Sequence, residues 1–215
     1  MTSALLRYAG LLLCFTTSVV AAESGRAAEP NFGGKAASAD VRRLASWVLA
    51  SADHQKMPFL IVDKKLAKVF LFSPAGQLSG SAAVLLGLGH GDDTVPGIGE
   101  RTLASITPDE RTTPAGRFVA SLGTNLQGKE ILWIDYAAAF SMHRVVTSNR
   151  TERRAQRLAS ASVLDNRISY GCINVPVAFF DRTLMPAFKA SSGVVYVLPE
   201  RKSMDQVFPA VPAAH

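Results

Sequence analysis

The stretch from Pro58 to Leu86 leaves the chain few choices of fold. Phe59-Leu60-Ile61-Val62 is a short apolar run of β-forming residues, and Asp63-Lys64-Lys65 behind it reads as a turn. From Ala67 to Phe72 the pattern alternates, Val69 and Leu71 against Lys68, Phe70 and Phe72. Pro74-Ala75-Gly76 turns the chain again, and Gln77 to Leu86 resumes as a strand. Strand, tight turn, strand, tight turn, strand predicts a β-meander. Apolar residues make up 48% of the 215, enough for one domain with a full core.

The rest of the chain adds strands and a few helices. Thr113 to Phe118 is a turn leading into a strand over Phe118–Leu122, and Glu130–Tyr136 is another. Pro176 suits the first turn of a helix carrying Val177, Phe180, Leu184 and Phe188 at helical spacing, which Pro186 should kink or end. Val194–Leu198 is a last buried strand. Gly87 to Glu110 is glycine-rich and irregular; it lacks the Gly-x-Gly-x-x-Gly spacing of a nucleotide loop. His90, Asp92 and Asp93 within it read as a solvated loop rather than a metal site, and no zinc-ligand spacing occurs. Neither a metal nor a cofactor is expected.

The N-terminal part reads differently. Arg7 precedes an apolar run from Ala9 to Val20 that holds no acidic residue, and Val20-Ala21-Ala22 offers small residues at cleavage spacing. Residues 1–22 therefore read as a secretory signal peptide, with an uncleaved anchor as the alternative. Residues 23–39 read as a flexible linker. Residues 40–57 read as a helix capped by Asp40, with Val41, Leu44, Trp47 and Val48 on its apolar face. Residues 58–200 are the main domain and 201–215 a tail. No stable membrane span is expected in the mature chain.

Cleavage after residue 22 would remove Cys14 and leave Cys172 as the one thiol. An exported protein normally pairs its cysteines, so a single one is either a reactive thiol or an inert buried residue. The formal charge of +6 becomes +5 without Arg7, which permits an acidic polymer as partner. Nucleic acid is not expected, since export argues against it and no nucleic-acid motif is present. Around Cys172 the chain reads Arg-Ile-Ser-Tyr-Gly-Cys-Ile-Asn-Val-Pro from Arg167 to Pro176. A thiol becomes a nucleophile when a neighbouring imidazole takes its proton, and His143 is the candidate base. Backbone N–H groups around Gly171-Cys172-Ile173 could receive the developing negative charge. Arg150, Arg153 and Arg157 fall at spacings of three and four beside Arg154, either a solvated helix face or a clamp for carboxylates.

Three segments resemble one enzyme family. Ser169-Tyr170-Gly171-Cys172-Ile173 is similar to the Ser-x-Gly-Cys-[Ile/Val] signature of L,D-transpeptidase (YkuD-type) catalytic domains. Thr113-Pro114-Ala115-Gly116-Arg117-Phe118 resembles their Thr-Pro-x-Gly-x-Phe segment, and His143 stands upstream of the cysteine at a similar spacing. The resemblance runs from about Phe59 to Leu198 in motif order. It implies a mainly β fold, a YkuD-like bent β-sandwich of mixed sheets, in one catalytic domain.

The resemblance further implies an exported enzyme of the periplasm or cell envelope that acts on peptidoglycan stem peptides. Cys172 would be the nucleophile and His143 the base and later acid, with Ser169, Gly171 and Ile173 shaping the cysteine turn and its oxyanion site. Water in place of an amine would make the activity that of an L,D-carboxypeptidase. A wall-linked protein is a further candidate acceptor or substrate, and a non-catalytic wall-binding module is the rival of another class. The chain departs from common family residues at Asn174 (arginine), Arg144 (glycine) and Tyr170 (histidine). These three, with Arg153 and Arg154, are the candidate substrate contacts.

Overall fold

The computed structural model describes residues 29–213. The expected signal peptide, and the linker as far as residue 28, lie outside the described residues. Helix α1 (Ala39–Ser51) is capped by Ser38, not by Asp40 as expected. The Ser38 hydroxyl accepts the Val41 N–H at 3.3 Å and donates to Asp63 at 2.6 Å. One residue thus starts the helix and ties it to the first strand. Asp40 sits in the first turn instead, 3.7 Å from Arg43.

The meander forms as β1 (Phe59–Asp63), β2 (Lys68–Phe72) and β3 (Leu78–Ala83). The third strand is shorter than expected, because Leu86 and Gly87 peel off as a two-residue strand, β4. After an irregular stretch come β5 (Gly116–Thr124), β6 (Glu130–Asp135) and β7 (Phe140–Arg144). A 3-10 turn (Arg150–Glu152) and a short helix, α2 (Arg154–Ala159), follow. The arginines of this region do not share one helical face, because Arg153 takes φ 52° and breaks the segment in two.

Strands β8 (Arg167–Ser169) and β9 (Ile173–Val175) flank the cysteine. The chain then runs through α3 (Val177–Phe179), a π turn (Phe180–Leu184) and α4 (Met185–Phe188). The wide turn lies just before Pro186, whose missing N–H and bulky ring displace the carbonyl four residues back. Strand β10 (Gly193–Val197) and helix α5 (Met204–Val207) complete the order.

Eight strands form one mixed sheet in the order β3-β2-β1-β10-β5-β6-β7-β9, while β4 pairs with β8 in parallel. The last strand of the sequence lies in the middle, parallel to β1 and antiparallel to β5. Strands β1, β2 and β10 are buried on both faces, which accounts for their near-continuous apolar sequence. Leu60, Val62, Val69, Leu71, Val195 and Val197 face one core together with Met142 and Ile173 from the far end of the sheet. Phe59, Ile61, Phe70, Phe72, Val194 and Tyr196 face the other, under α1. Each such side chain, removed from water, contributes about 1.5–3 kcal/mol.

For Met142 and Leu60 to share a core the sheet must bend back on itself. It does so until its two ends meet, where Leu85 and Asn174 exchange backbone hydrogen bonds of 2.8 and 2.9 Å. The mainly β, bent-sandwich architecture is as expected. Both expected peripheral segments are more structured than their composition suggested. Phe32 packs edge-on against Phe70 and Phe72, and Asn31 bonds to Gly76 and Leu78, so residues 31–38 are not a loose linker. Met204, Phe208 and Val211 are buried in the core under α1, so 201–211 is not a free tail. Among the described residues no helix is long and apolar enough to cross a membrane.

Candidate active site

Cys172 lies in the turn between β8 and β9, half-buried. Three side chains pin that turn. Ser169 Oγ donates to the Cys172 carbonyl at 2.6 Å and accepts the Gly171 N–H at 3.1 Å. Asn174 Nδ2 donates to the same carbonyl at 3.3 Å. Thr113 Oγ1, fully buried, donates to the Gly171 carbonyl at 2.8 Å. Gly171 itself holds φ 127°, and a Cβ there would stand 2.7 Å from the Thr112 carbonyl oxygen. Only glycine satisfies both demands.

Strand β7 brings the second group. Side chains alternate faces along a strand, so Ser141 and His143 share the face toward Cys172 while Phe140 and Met142 enter the core. Ser141 Oγ donates to Cys172 Sγ at 3.5 Å, and the thiol donates to the Ala139 carbonyl at 3.4 Å. His143 Nδ1 lies 2.8 Å from the Arg144 carbonyl, which can only accept, so Nδ1 carries the proton and Nε2 is left for the thiol.

The two groups shift each other. Burial pushes the Cys172 thiol up, but the His143 imidazole and then Ser141 outweigh it, so its pKa falls below the ordinary 9.0. Burial alone would lower the His143 pKa, but the facing Cys172 and the Arg144 carbonyl raise it above 6.5, against a smaller opposing effect of Arg154. Opposite displacement of the two favours a thiolate beside an imidazolium.

A cavity of about 140 Å³ opens onto the thiol, lined by Ile98, Leu103, Ile106, Pro114, Phe140 and Tyr170 among others. Its roof is the 94–106 loop. Arg101 and Glu110 clamp that loop with a two-pronged ion pair of 2.7 and 3.1 Å. The Arg111 guanidinium, bonded to the Ile106 carbonyl, stacks 4.0 Å over the Tyr170 ring. The other end of the loop is fixed by a buried charge cluster. Lys64 Nζ donates to Asp92 at 2.7 Å and to the Gly91 and Thr113 carbonyls. Glu200 receives Arg167, the Gly91 N–H and His90. His90, Asp92 and Asp93 thus point to Glu200, Lys64 and Lys202 respectively. Among the described residues no cluster of three His, Cys, Asp or Glu side chains suits a metal ion.

The candidate residues divide. Cys172, His143, Ser169, Gly171, Tyr170 and Asn174 come together around the thiol. The Gly171 N–H is occupied by Ser169, while the N–H groups of Tyr170 and Cys172 have no hydrogen-bond acceptor among the described residues. Ile173 contributes its side chain to the core and anchors β9. Arg154 reaches the site through Asn174 Oδ1, at 2.7 Å. Arg153 is exposed beside it. Arg144 does not join the group. As the strand neighbour of His143 it projects from the opposite face, over the Phe180 ring, and pairs with Asp181 at 2.6 Å and Glu130 at 3.2 Å. Ser141 and the bonding role of Thr113 were not anticipated; Ser141, two residues before His143 in a strand, was findable by the same alternation.

No family model and no curated protein matches the sequence. Solved structures do. An L,D-transpeptidase from Mycobacterium smegmatis is 12% identical, covering 66% of this chain and 58% of its own, with TM-score 0.35. The helical cell shape determining protein of Campylobacter jejuni is 12% identical, covering 68% and 49%, with TM-score 0.42. The catalytic domain of an Enterococcus faecium L,D-transpeptidase is 17% identical, covering 66% and 98%, with TM-score 0.34. The chain spans about half the length of several of the proteins it matches, 58%, 49% and 49% for the first three. What the site can do is therefore read from its own residues.

Proposed function

We propose that the chain is an exported cysteine acyltransferase of the L,D-transpeptidase type that acts on peptidoglycan stem peptides. The observation that supports this most is the placement of Cys172 at the mouth of a cavity roofed by its own loop, with Ser141 bonded to its sulfur and the His143 ring oriented by the Arg144 carbonyl. The Cys172 thiolate attacks the carbonyl of the bond before a terminal D-amino acid, and the N–H groups of Tyr170 and Cys172 receive the oxyanion. Collapse expels the D-amino acid, whose amine takes the proton held by His143, and leaves a thioester. His143, now neutral, takes a proton from the incoming amine. That amine attacks the thioester, forms the new amide and releases the thiolate. Water in the same role gives the carboxypeptidase. Tyr170, braced by Arg111, forms one wall of the cavity beside the thiol.

Intact-mass measurement after incubation with a stem tetrapeptide tests this. The expected result is an adduct on Cys172 equal to the peptide less its terminal amino acid, absent from Cys172→Ala and slowed in His143→Ala. A Cys172 that remains unmodified by the peptide, or a Cys172→Ala protein with full biological effect, would leave only a wall-binding module.

A further inference from the structure

Tyr170 stands two residues before Cys172 and lines the cavity over the thiol. The chain departs here from the histidine common in the resembled family, so the contacts of this ring belong to this chain. The side chain is half-buried, and its hydroxyl makes no hydrogen bond among the described residues. Its one polar contact is on the ring face, where the Arg111 guanidinium lies 4.0 Å from the centroid. A cation in that position is attracted by the π electrons of the ring.

Arg111 has a second hold. Its Nε and Nη2 donate to the Ile106 carbonyl at 3.2 and 3.1 Å. Ile106 lines the cavity from the roof loop and Tyr170 from the cysteine turn, while Arg111 does not line it. One guanidinium therefore ties roof to wall from outside the cavity. The Arg101–Glu110 clamp is different, since both partners belong to the loop side and neither bonds to the cysteine turn. Arg111 forms no ion pair among the described residues, because the adjacent Glu110 is taken by Arg101. Its charge is left for the ring.

We infer that Arg111 is a positioning residue that sets the width of the cavity mouth, and with it the size of the molecule that reaches Cys172. Its hydrogen bonds and its ring contact reach neither Cys172 nor His143, so it acts through Tyr170 and Ile106. A molecule small enough to pass the closed mouth is indifferent to this tie. A bulky one reacts only when roof and wall part, at a rate proportional to the open population. The inference rests on the reading of Cys172 as a nucleophile reached through this cavity. It does not need a peptide substrate, so absence of the stem-peptide adduct would end the acyl-transfer reading and leave this one standing.

Alkylation of the full chain by iodoacetamide and by its N-pyrenyl derivative tests this, with the rate followed at the Cys172 peptide by mass. The two reagents share one reacting group and differ in bulk. Arg111→Met is expected to raise the ratio of pyrenyl to parent rate about fivefold, the loss of one cation–π contact, with the parent rate and its pH inflection unchanged. Arg111→Gln keeps a donor for the Ile106 carbonyl but no charge for the ring, and is expected to do the same. Tyr170→Leu should also raise the ratio, and Arg111→Met/Tyr170→Leu should raise it no further than the larger single change, because one contact is removed once. A ratio unchanged in either arginine variant, a parent rate that rises in step with the pyrenyl rate, or single effects that multiply in the double variant overturns the inference.

Discussion

Thr113 and Gly171 are joined by a hydrogen bond sealed from solvent: the hydroxyl donates to the carbonyl at 2.8 Å and accepts the Gly87 N–H, also at 2.8 Å. One oxygen thereby links the strand after the meander to the turn that carries the thiol. Thr113→Val keeps the shape and strands both partners. The expected loss is about 2–4 kcal/mol in urea denaturation, with Thr113→Ser close to wild type. A valine variant as stable as wild type would show that the bond contributes nothing to the turn.

The thiol gives a pH signature. His143 is the larger of the two side chains that hold the Cys172 pKa below 9.0, and Ser141 the smaller. The rate of Cys172 alkylation by iodoacetamide should therefore inflect below pH 9. Without the imidazole, burial is opposed by Ser141 alone, so His143→Ala should move the inflection upward, and Ser141→Ala should move it less in the same direction. Identical profiles for wild type and His143→Ala would remove the imidazole from any part in ionising the thiol.

Much of this architecture was legible because two-sided burial writes itself into sequence. The apolar run Phe59–Val62 could only be an interior strand. The site was legible in its centre, where Gly171 and Cys172 sit in a motif with a steric reason, since a Cβ at 171 meets the Thr112 carbonyl. What stayed hidden depends on distant parts of the chain. Nothing local announces that β10 inserts between β1 and β5, because a parallel pair needs no adjoining turn. Lys64 reads as a turn residue, yet its ammonium is fully buried and is satisfied by Asp92 and two carbonyls contributed from residues 91–113. Phe32 is one aromatic in a polar segment, and its burial is decided by Phe70 and Phe72. Arg144, expected among the substrate contacts where the resembled family has glycine, follows His143 directly, and in a strand adjacency means the opposite face.

The Lys64–Asp92 pair should contribute to acid unfolding. Burial opposes ionisation of Asp92, but Lys64 and the N–H groups of Glu200, Arg201 and Lys202 outweigh it and hold its pKa at about 2, below 3.8. A carboxyl depressed by folding contributes stability that is fully present above its unfolded pKa and is lost as pH falls through the folded one. Stability should therefore decline between about pH 4 and pH 2. Lys64→Met strands a buried carboxylate and should cost about 3–5 kcal/mol at pH 7. Protonation of Asp92 relieves that penalty, so the gap between variant and wild type should narrow toward pH 2. Denaturant midpoints measured across this range check both claims, and a gap independent of pH would exclude Asp92 as its source.

Arg144 and Arg154, both candidate substrate contacts from sequence, should behave differently because Arg144 projects from the face of β7 opposite His143 whereas Arg154, at the start of α2, bonds Asn174 beside the thiol. Arg144 pairs with the well-exposed Glu130 and Asp181, and its side chain is 30% exposed. Arg144→Ala should cost less than about 1 kcal/mol, as surface ion pairs do, and leave the alkylation profile of Cys172 unchanged. Arg154 is 13% exposed in its side chain and bonds Asn174. Its charge works against the imidazolium, lowering the His143 pKa from what Cys172 and the Arg144 carbonyl would otherwise set. Arg154→Met should therefore raise the His143 pKa further, extending the imidazolium form to higher pH. NMR titration of the His143 ring in the two variants separates them: a shift upward in Arg154→Met and none in Arg144→Ala. A shift of the same size in both would place Arg144 at the site after all.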